Sequence, residues 1–309
     1  MDFRIFVEPQ QGTTYERLCA LASHAEDLGF NGFFTSDHYL KMGDSDGLPG
    51  PTDAWTTLAG LSRDTSTIRL GTLVTPITFR HLGSLAISVS QIDQMSDGRI
   101  ELGLGAGWYE EEHKAQGLPF PNIGTRFSIL EESLEILNSI WNSPEGELFS
   151  YDGKSIQFSN SMGLPKPKQE KGPPIIIGGM GKKKTPALVA KYASEYNTPF
   201  VSPADFGSLV SVVKDACAKL GRNPEDLTYS CAQVFCCGEN ETILNNRASA
   251  IGRDVDELRL NGFAGTPDEV SSKIETFKQR GCDRFYLQIL DDCDLEHLDL
   301  AAEIFLKQA

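Results

Sequence analysis

The chain has 309 residues, with 28 Lys and Arg against 43 Asp and Glu and a formal charge of −15. That balance argues against a general binder of nucleic acid or anionic membrane, but leaves room for a local phosphate site made from backbone amides and one lysine. No stretch approaches the roughly 20 apolar residues needed to span a bilayer, and MDFRIFVEPQ lacks the basic and apolar segments of a signal peptide.

Phe3, Ile5 and Val7 predict a first strand, with Phe6 disturbing its alternation. Residues 15–28 have helical spacing, and Gly29 suits the C-terminal end. A second strand at residues 32–36 runs straight into Asp37, His38 and Tyr39. Residues 41–51 are a loop by composition, and Thr52 is the expected cap of a helix over 53–63. Ile68, Leu70, Leu73 and Val74 predict a third strand, with a bend at Gly71. Residues 82–95 repeat apolar positions at helical spacing, Asp97-Gly98 marks a turn, and Ile100, Leu102 and Leu104 begin a fourth strand. This is a βαβ unit, whose helical crossover implies parallel strands.

A strongly periodic helix follows at 126–141. The pattern then fails over residues 143–173, where a small hairpin at 149–158 has too few apolar neighbours for a core of its own. It reads as an insertion in a single domain over 1–309. A fifth strand is expected at 174–179, a helix at 185–194, a short segment at 195–200 and a helix at 206–220. A long strand at 227–237 precedes a polar helical stretch at 240–259. Residues 263–267 read as a turn into a helix over 268–280, before a last strand at 284–289 and a last helix at 295–306. Eight strands alternating with helices predict an α/β fold, a (β/α)₈ TIM barrel with insertions, rather than an open sheet. The seven cysteines are scattered in no zinc pattern, so reduced thiols, no metal and a cytoplasmic location are expected.

Three groups of residues lie at the strand ends where such folds place their sites. Asp37 and His38 follow the second strand. His38 has the right chemistry to move a proton near neutral pH, and Asp37 either fixes that loop or only caps its backbone. Gly105, Ala106, Gly107 and Trp108 follow the fourth strand. The glycines allow a flat ring to approach closely, or serve tight packing of barrel and loop. Glu111 and Glu112 cannot both face one place, and capping of a helix is open to either. Gly178, Gly179 and Gly181 with Lys182 follow the fifth strand, where amides at a helix start and one lysine suit a phosphate, or else form a solvated basic turn.

Together, RIFVEPQ, FFTSDHY, PTDAWTTLAGL, IRLGTLVTPITFRH, GRIELGLGAGWYEEEH, the IIIGG segment and GTPDEV resemble the bacterial-luciferase-like superfamily, specifically its deazaflavin (F420)-dependent oxidoreductase branch. The resemblance covers nearly the whole chain. It implies a TIM barrel with a flat isoalloxazine-like ring at its C-terminal mouth, approached by Asp37 and His38. Leu73 and Val74 match a region where relatives have a non-proline cis peptide supporting the ring. Gly105 to Trp108 match the cofactor edge of the fourth strand, and Gly178-Gly179 match the cofactor contact of the fifth. Relatives that use the deazaflavin commonly present Glu near position 108, where this chain has Trp108 followed by Tyr109, Glu110 and Glu111.

The resemblance implies hydride transfer between coenzyme F420 and a small organic substrate, with His38 or a polar group of a neighbouring loop handling the proton. An FMN-dependent monooxygenase using oxygen is the alternative, and a non-catalytic binding protein built on the barrel a more distant one. A homodimer is expected through the apolar faces of the helices at 52–63 and 82–95. The loops at 41–51, 109–124 and 143–173 are expected to shape the entrance.

Overall fold

A computed structural model describes residues 1–306. Strand β1 (Asp2–Val7) pairs in parallel with β2 (Gly32–Thr35). The ladder continues through β3 (Arg69–Thr72), β5 (Ile100–Gly105), β8 (Ile175–Gly178), β9 (Glu195–Pro199), β10 (Thr228–Cys237) and β12 (Arg284–Ile289), which returns to β1. The result is a closed, eight-stranded parallel barrel. Around it run α1 (Tyr15–Leu28), α2 (Ala54–Asp64), α3 (Leu82–Met95), α5 (Ile123–Asn142), α6 (Lys184–Tyr192), α7 (Pro203–Lys219), α10 (Pro267–Lys278) and α11 (Leu295–Phe305). Among the described residues no helix is long and apolar enough to cross a membrane.

Strands of a parallel barrel are buried on both faces, so simple alternation is not expected of them. Phe3, Ile5 and Val7 point outward into the layer of helices, while Phe6 joins Phe34, Ile176, Ala232 and Tyr286 inside the barrel. Phe6 is therefore an inside residue of a regular strand. Towards the strand starts the interior is ionic. Buried Arg4 donates to Glu101 at 2.7 Å, and Arg284 pairs with Asp2 at 2.6 Å and with Glu195. The apolar layer separates this plug from the carboxyl ends of the strands.

Several local expectations are corrected. Gly71 is not a bend: a Cβ there would lie 2.4 Å from the Phe34 ring and 2.5 Å from the Glu101 carbonyl oxygen, so the glycine serves close packing. The strand is interrupted instead at the Leu73–Val74 peptide, which is cis, and resumes as β4 (Thr75–Pro76) against β5. Asp53, not Thr52, caps α2, accepting the Thr56 N–H at 2.8 Å. The polar stretch after β10 divides into α8 (Glu241–Ala250) and α9 (Val255–Asn261), parted by Gly252 at φ 65° and restarted by the Asp254 cap. The expected turn after it is a short strand, β11 (Phe263–Gly265), paired with the end of β10. The loop after β5 contains a helix, α4 (Glu110–Ala115), too short to show a period.

The insertion forms a hairpin of β6 (Phe149–Asp152) and β7 (Gln157–Ser161), separate from the barrel sheet. The apolar faces that suggested a second copy are largely occupied within the chain. Leu58 and Leu61 of α2, and Leu85 and Val89 of α3, belong to the main core, while Ile87 remains exposed.

Candidate active site

At the carboxyl ends of the strands lies a cavity of about 410 Å³. Leu73 and Val74, joined by the cis peptide, line its wall. From the end of β5 come Gly105, Ala106, Gly107 and Trp108, and from the end of β8 and the turn after it come Gly178, Gly179 and Gly181. Three glycines make the notch that Val74 occupies. A Cβ would lie 2.9 Å from a Val74 methyl at Gly103 and again at Gly105, and 3.3 Å away at Gly178. Gly107 and Gly179, at φ 78° and 134°, need the freedom that only glycine has. The result is a narrow, apolar wall with exposed backbone, which fits the edge of a flat ring.

His38 lines the cavity, and its Nδ1 lies 3.0 Å from Oε2 of Glu112 in α4. Glu112 is fully buried, and its Oε1 also accepts the backbone N–H groups of Tyr39 and of Leu40, the latter at 3.1 Å. A carboxylate is an acceptor only, so neutral His38 carries its proton on Nδ1. Nε2 has no protein partner among the described residues and is left as a lone pair for the cavity. Glu112 thus fixes both the ring and its tautomer. The Trp108 ring stands edge-on to His38 at 5.9 Å and stacks on Tyr109 at 5.0 Å.

Asp37 does not line the cavity. It is buried behind the wall, where Thr75 Oγ1 donates to it at 2.8 Å and Arg80 Nη2 at 3.1 Å. Burial pushes its carboxyl up from the ordinary value, while Arg80 and Thr75 pull it back. Arg80 also donates to the Tyr39 hydroxyl at 2.7 Å and pairs with Asp53. Desolvation raises Asp53, but Arg80 and its hydrogen bonds bring it down to about 2. This cluster ties the loop after β2 to the segment after β4 and so positions His38 from behind. Lys182 is exposed and is not a lining residue; it stands outside the glycine turn.

Two further wall residues carry chemistry. Glu8 follows β1 and faces the cavity, with its carboxyl pushed up by desolvation and drawn partly back by His38. Asn197 of β9 is buried, holding Ser230 Oγ through Nδ2 at 2.9 Å. Sequence reasoning did not reach Glu8, Asn197 or Arg80, and left Glu112 undecided. The usable signal for Glu112 was its place in the run after β5, where Glu111 and Glu112 cannot both face one place.

Residues 1–274 match the family model described as luciferase-like monooxygenase. The chain is 32% identical over 206 residues to an F420-dependent glucose-6-phosphate dehydrogenase of Microbacterium testaceum, covering 66% of this chain and 59% of the relative. It is 30% identical over 279 residues to a pyrimidine monooxygenase of Stutzerimonas stutzeri, covering 84% of this chain and 72% of that one. A solved F420-dependent secondary alcohol dehydrogenase, in complex with an F420-acetone adduct, superposes with a TM-score of 0.84 over 98% of each chain. At 18% identity that likeness is one of fold.

Proposed function

The chain belongs to the luciferase-like monooxygenase family and is an enzyme, and from that premise we propose that it is a cytoplasmic F420-dependent oxidoreductase acting on a small organic substrate. The observation that carries this reading is His38, held by Glu112 with Nε2 free, beside a cavity walled by glycines and apolar side chains. A bound deazaflavin supplies a two-electron hydride acceptor or donor. The chain supplies the rest. Val74 and the glycines of β5 and β8 would hold the ring edge, and the apolar wall would exclude water. Nε2 of His38 takes the proton of a substrate hydroxyl as the adjacent carbon gives up its hydride, or returns it in the reverse direction, so that two electrons and two hydrogens are accounted for. Glu112 stabilises the imidazolium, and Asp37 with Arg80 positions the loop. Gly178, Gly179 and Gly181 offer amides to the phosphate-bearing tail, and Lys182 offers charge.

The same cavity suits FMN, and 30% identity to a monooxygenase, over an alignment covering 84% of the chain, favours that as the second reading. We also propose a homodimer, with exposed Ile87 of α3 in the contact; a monomeric mass by sedimentation, with and without cofactor, rejects it. The site itself is tested by photometric titration of oxidised deazaflavin into wild type and Gly105→Val. Binding is expected in the wild type, with at least about tenfold loss in the variant and an unchanged circular dichroism spectrum. No spectral change in the wild type ends the assignment.

A further inference from the structure

The cavity's lining is short of one kind of group. Its ionisable side chains are Glu8 and His38, and neither Lys nor Arg is among the lining residues. Lys182, Lys183 and Lys184 are exposed beside the glycine turn. Arg80 is already committed to Asp37 and Asp53, and Arg253, whose charge draws the Glu8 carboxyl down, is paired with Glu257. Away from the glycine amides assigned to the cofactor tail, a phosphate or carboxylate on a substrate would meet no cationic side chain on the wall, and would face the Glu8 carboxyl within a chain of net charge −15.

The mouth is apolar where surfaces are usually polar. Trp108, Ile123, Met180 and Phe200 all line the cavity and are 65%, 54%, 57% and 50% exposed. Four large, exposed apolar side chains sharing the lining of one cavity mark a binding region rather than the scattered exposure normal for a surface. Phe200 adds an independent sign. It follows β9 at φ 50°, an uncommon backbone conformation for a bulky residue, and its N–H is fixed to the Ala232 carbonyl at 2.9 Å. The chain holds a phenyl ring at the opening in a conformation that glycine would adopt more easily.

We infer that the substrate is an uncharged, largely apolar molecule with a carbonyl or hydroxyl group, gripped at the mouth by Phe200, and not a phosphorylated sugar. The apolar body fits between the rim and the inner wall of Phe6, Ile177 and Leu188, leaving its one polar group for His38. The inference rests on the oxidoreductase reading for the role of that polar group, but the preference itself is a property of the wall.

The test is isothermal titration of 1-indanone, glucose and glucose 6-phosphate into wild type and Phe200→Gly, each alone and after deazaflavin addition. Glycine accepts the backbone angle, so the variant keeps the turn. The wild type should bind 1-indanone at least about tenfold more tightly than either sugar. Phe200→Gly should weaken 1-indanone by about tenfold, as for loss of an aromatic anchor. The deazaflavin absorbance titration should be the same in both proteins. Equal or tighter binding of glucose 6-phosphate, unaltered 1-indanone affinity in Phe200→Gly, or no binding of 1-indanone in the wild type overturns the inference. Failure of deazaflavin to change its spectrum strikes the cofactor reading instead, and the difference between wild type and Phe200→Gly on the protein alone still decides whether the rim selects an apolar ligand.

Discussion

Replacing Glu112 by Gln should reverse which nitrogen of His38 carries the proton. Both backbone bonds, from Tyr39 and Leu40, go to Oε1, and His38 Nδ1 lies closest to Oε2 at 3.0 Å. A glutamine amide therefore keeps its carbonyl on the backbone N–H groups and turns its NH₂ towards Nδ1. Two donors cannot face each other, so the imidazole moves its proton to Nε2 and presents a donor where the cavity had an acceptor. Charge-assisted bonds become neutral ones, which should cost roughly 1–2 kcal/mol of stability in urea denaturation. Loss of a correctly protonated base should slow a proton-coupled turnover about 10²- to 10⁴-fold. Nitrogen-15 spectra of histidine-labelled protein read the tautomer without any substrate. With five histidines in the chain, His38→Asn assigns the signal. Nδ1–H in the wild type and Nε2–H in the variant are expected; the same tautomer in both proteins refutes the link between Glu112 and His38.

Arg80→Ala leaves Asp37 buried without its counter-ion and should lower stability by roughly 3–5 kcal/mol, measured by urea denaturation, with Arg80→Lys recovering part of the loss. His297 is held at about 3, mainly by burial and then by Arg247, and accepts the Cys237 N–H through Nε2 at 2.9 Å. Its folded value lies below the ordinary 6.5, so its contribution is complete above pH 6.5 and declines towards pH 3. Between pH 6.5 and 5 the wild type should lose of order 1.4 kcal/mol per pH unit more than His297→Gln does; parallel stability curves would contradict this. Gly179→Val should weaken cofactor binding at every salt concentration by straining φ 134°, whereas Lys182→Ala should weaken it mainly at low salt. Wild-type dissociation constants for both variants across a salt series would move the tail elsewhere.

The barrel was legible in the sequence because its signal repeats. Most strands are short apolar runs, the long barrel helices have a period, and the glycines and His38 fall at strand ends. What was missed depends on contacts between distant segments. Phe6 looked irregular only because a strand buried on both faces has no polar side to alternate with. Gly71 looked like a bend because its close neighbours, Phe34 and Glu101, come from two other strands. Asp37 and His38 are adjacent, yet one points into an ion pair and the other into the cavity, as alternating side chains at a strand end do. Glu112 lies 74 residues from His38, and nothing local distinguishes it from Glu111 before α4 turns it inward.

The most direct test of the account is a side-by-side anaerobic titration of the purified protein with oxidised deazaflavin and FMN, followed by admission of oxygen to the reduced complexes. Micromolar binding of the deazaflavin, weaker binding of FMN and no oxygen-dependent turnover are predicted. Tight FMN binding with oxygen consumption coupled to product formation would contradict it.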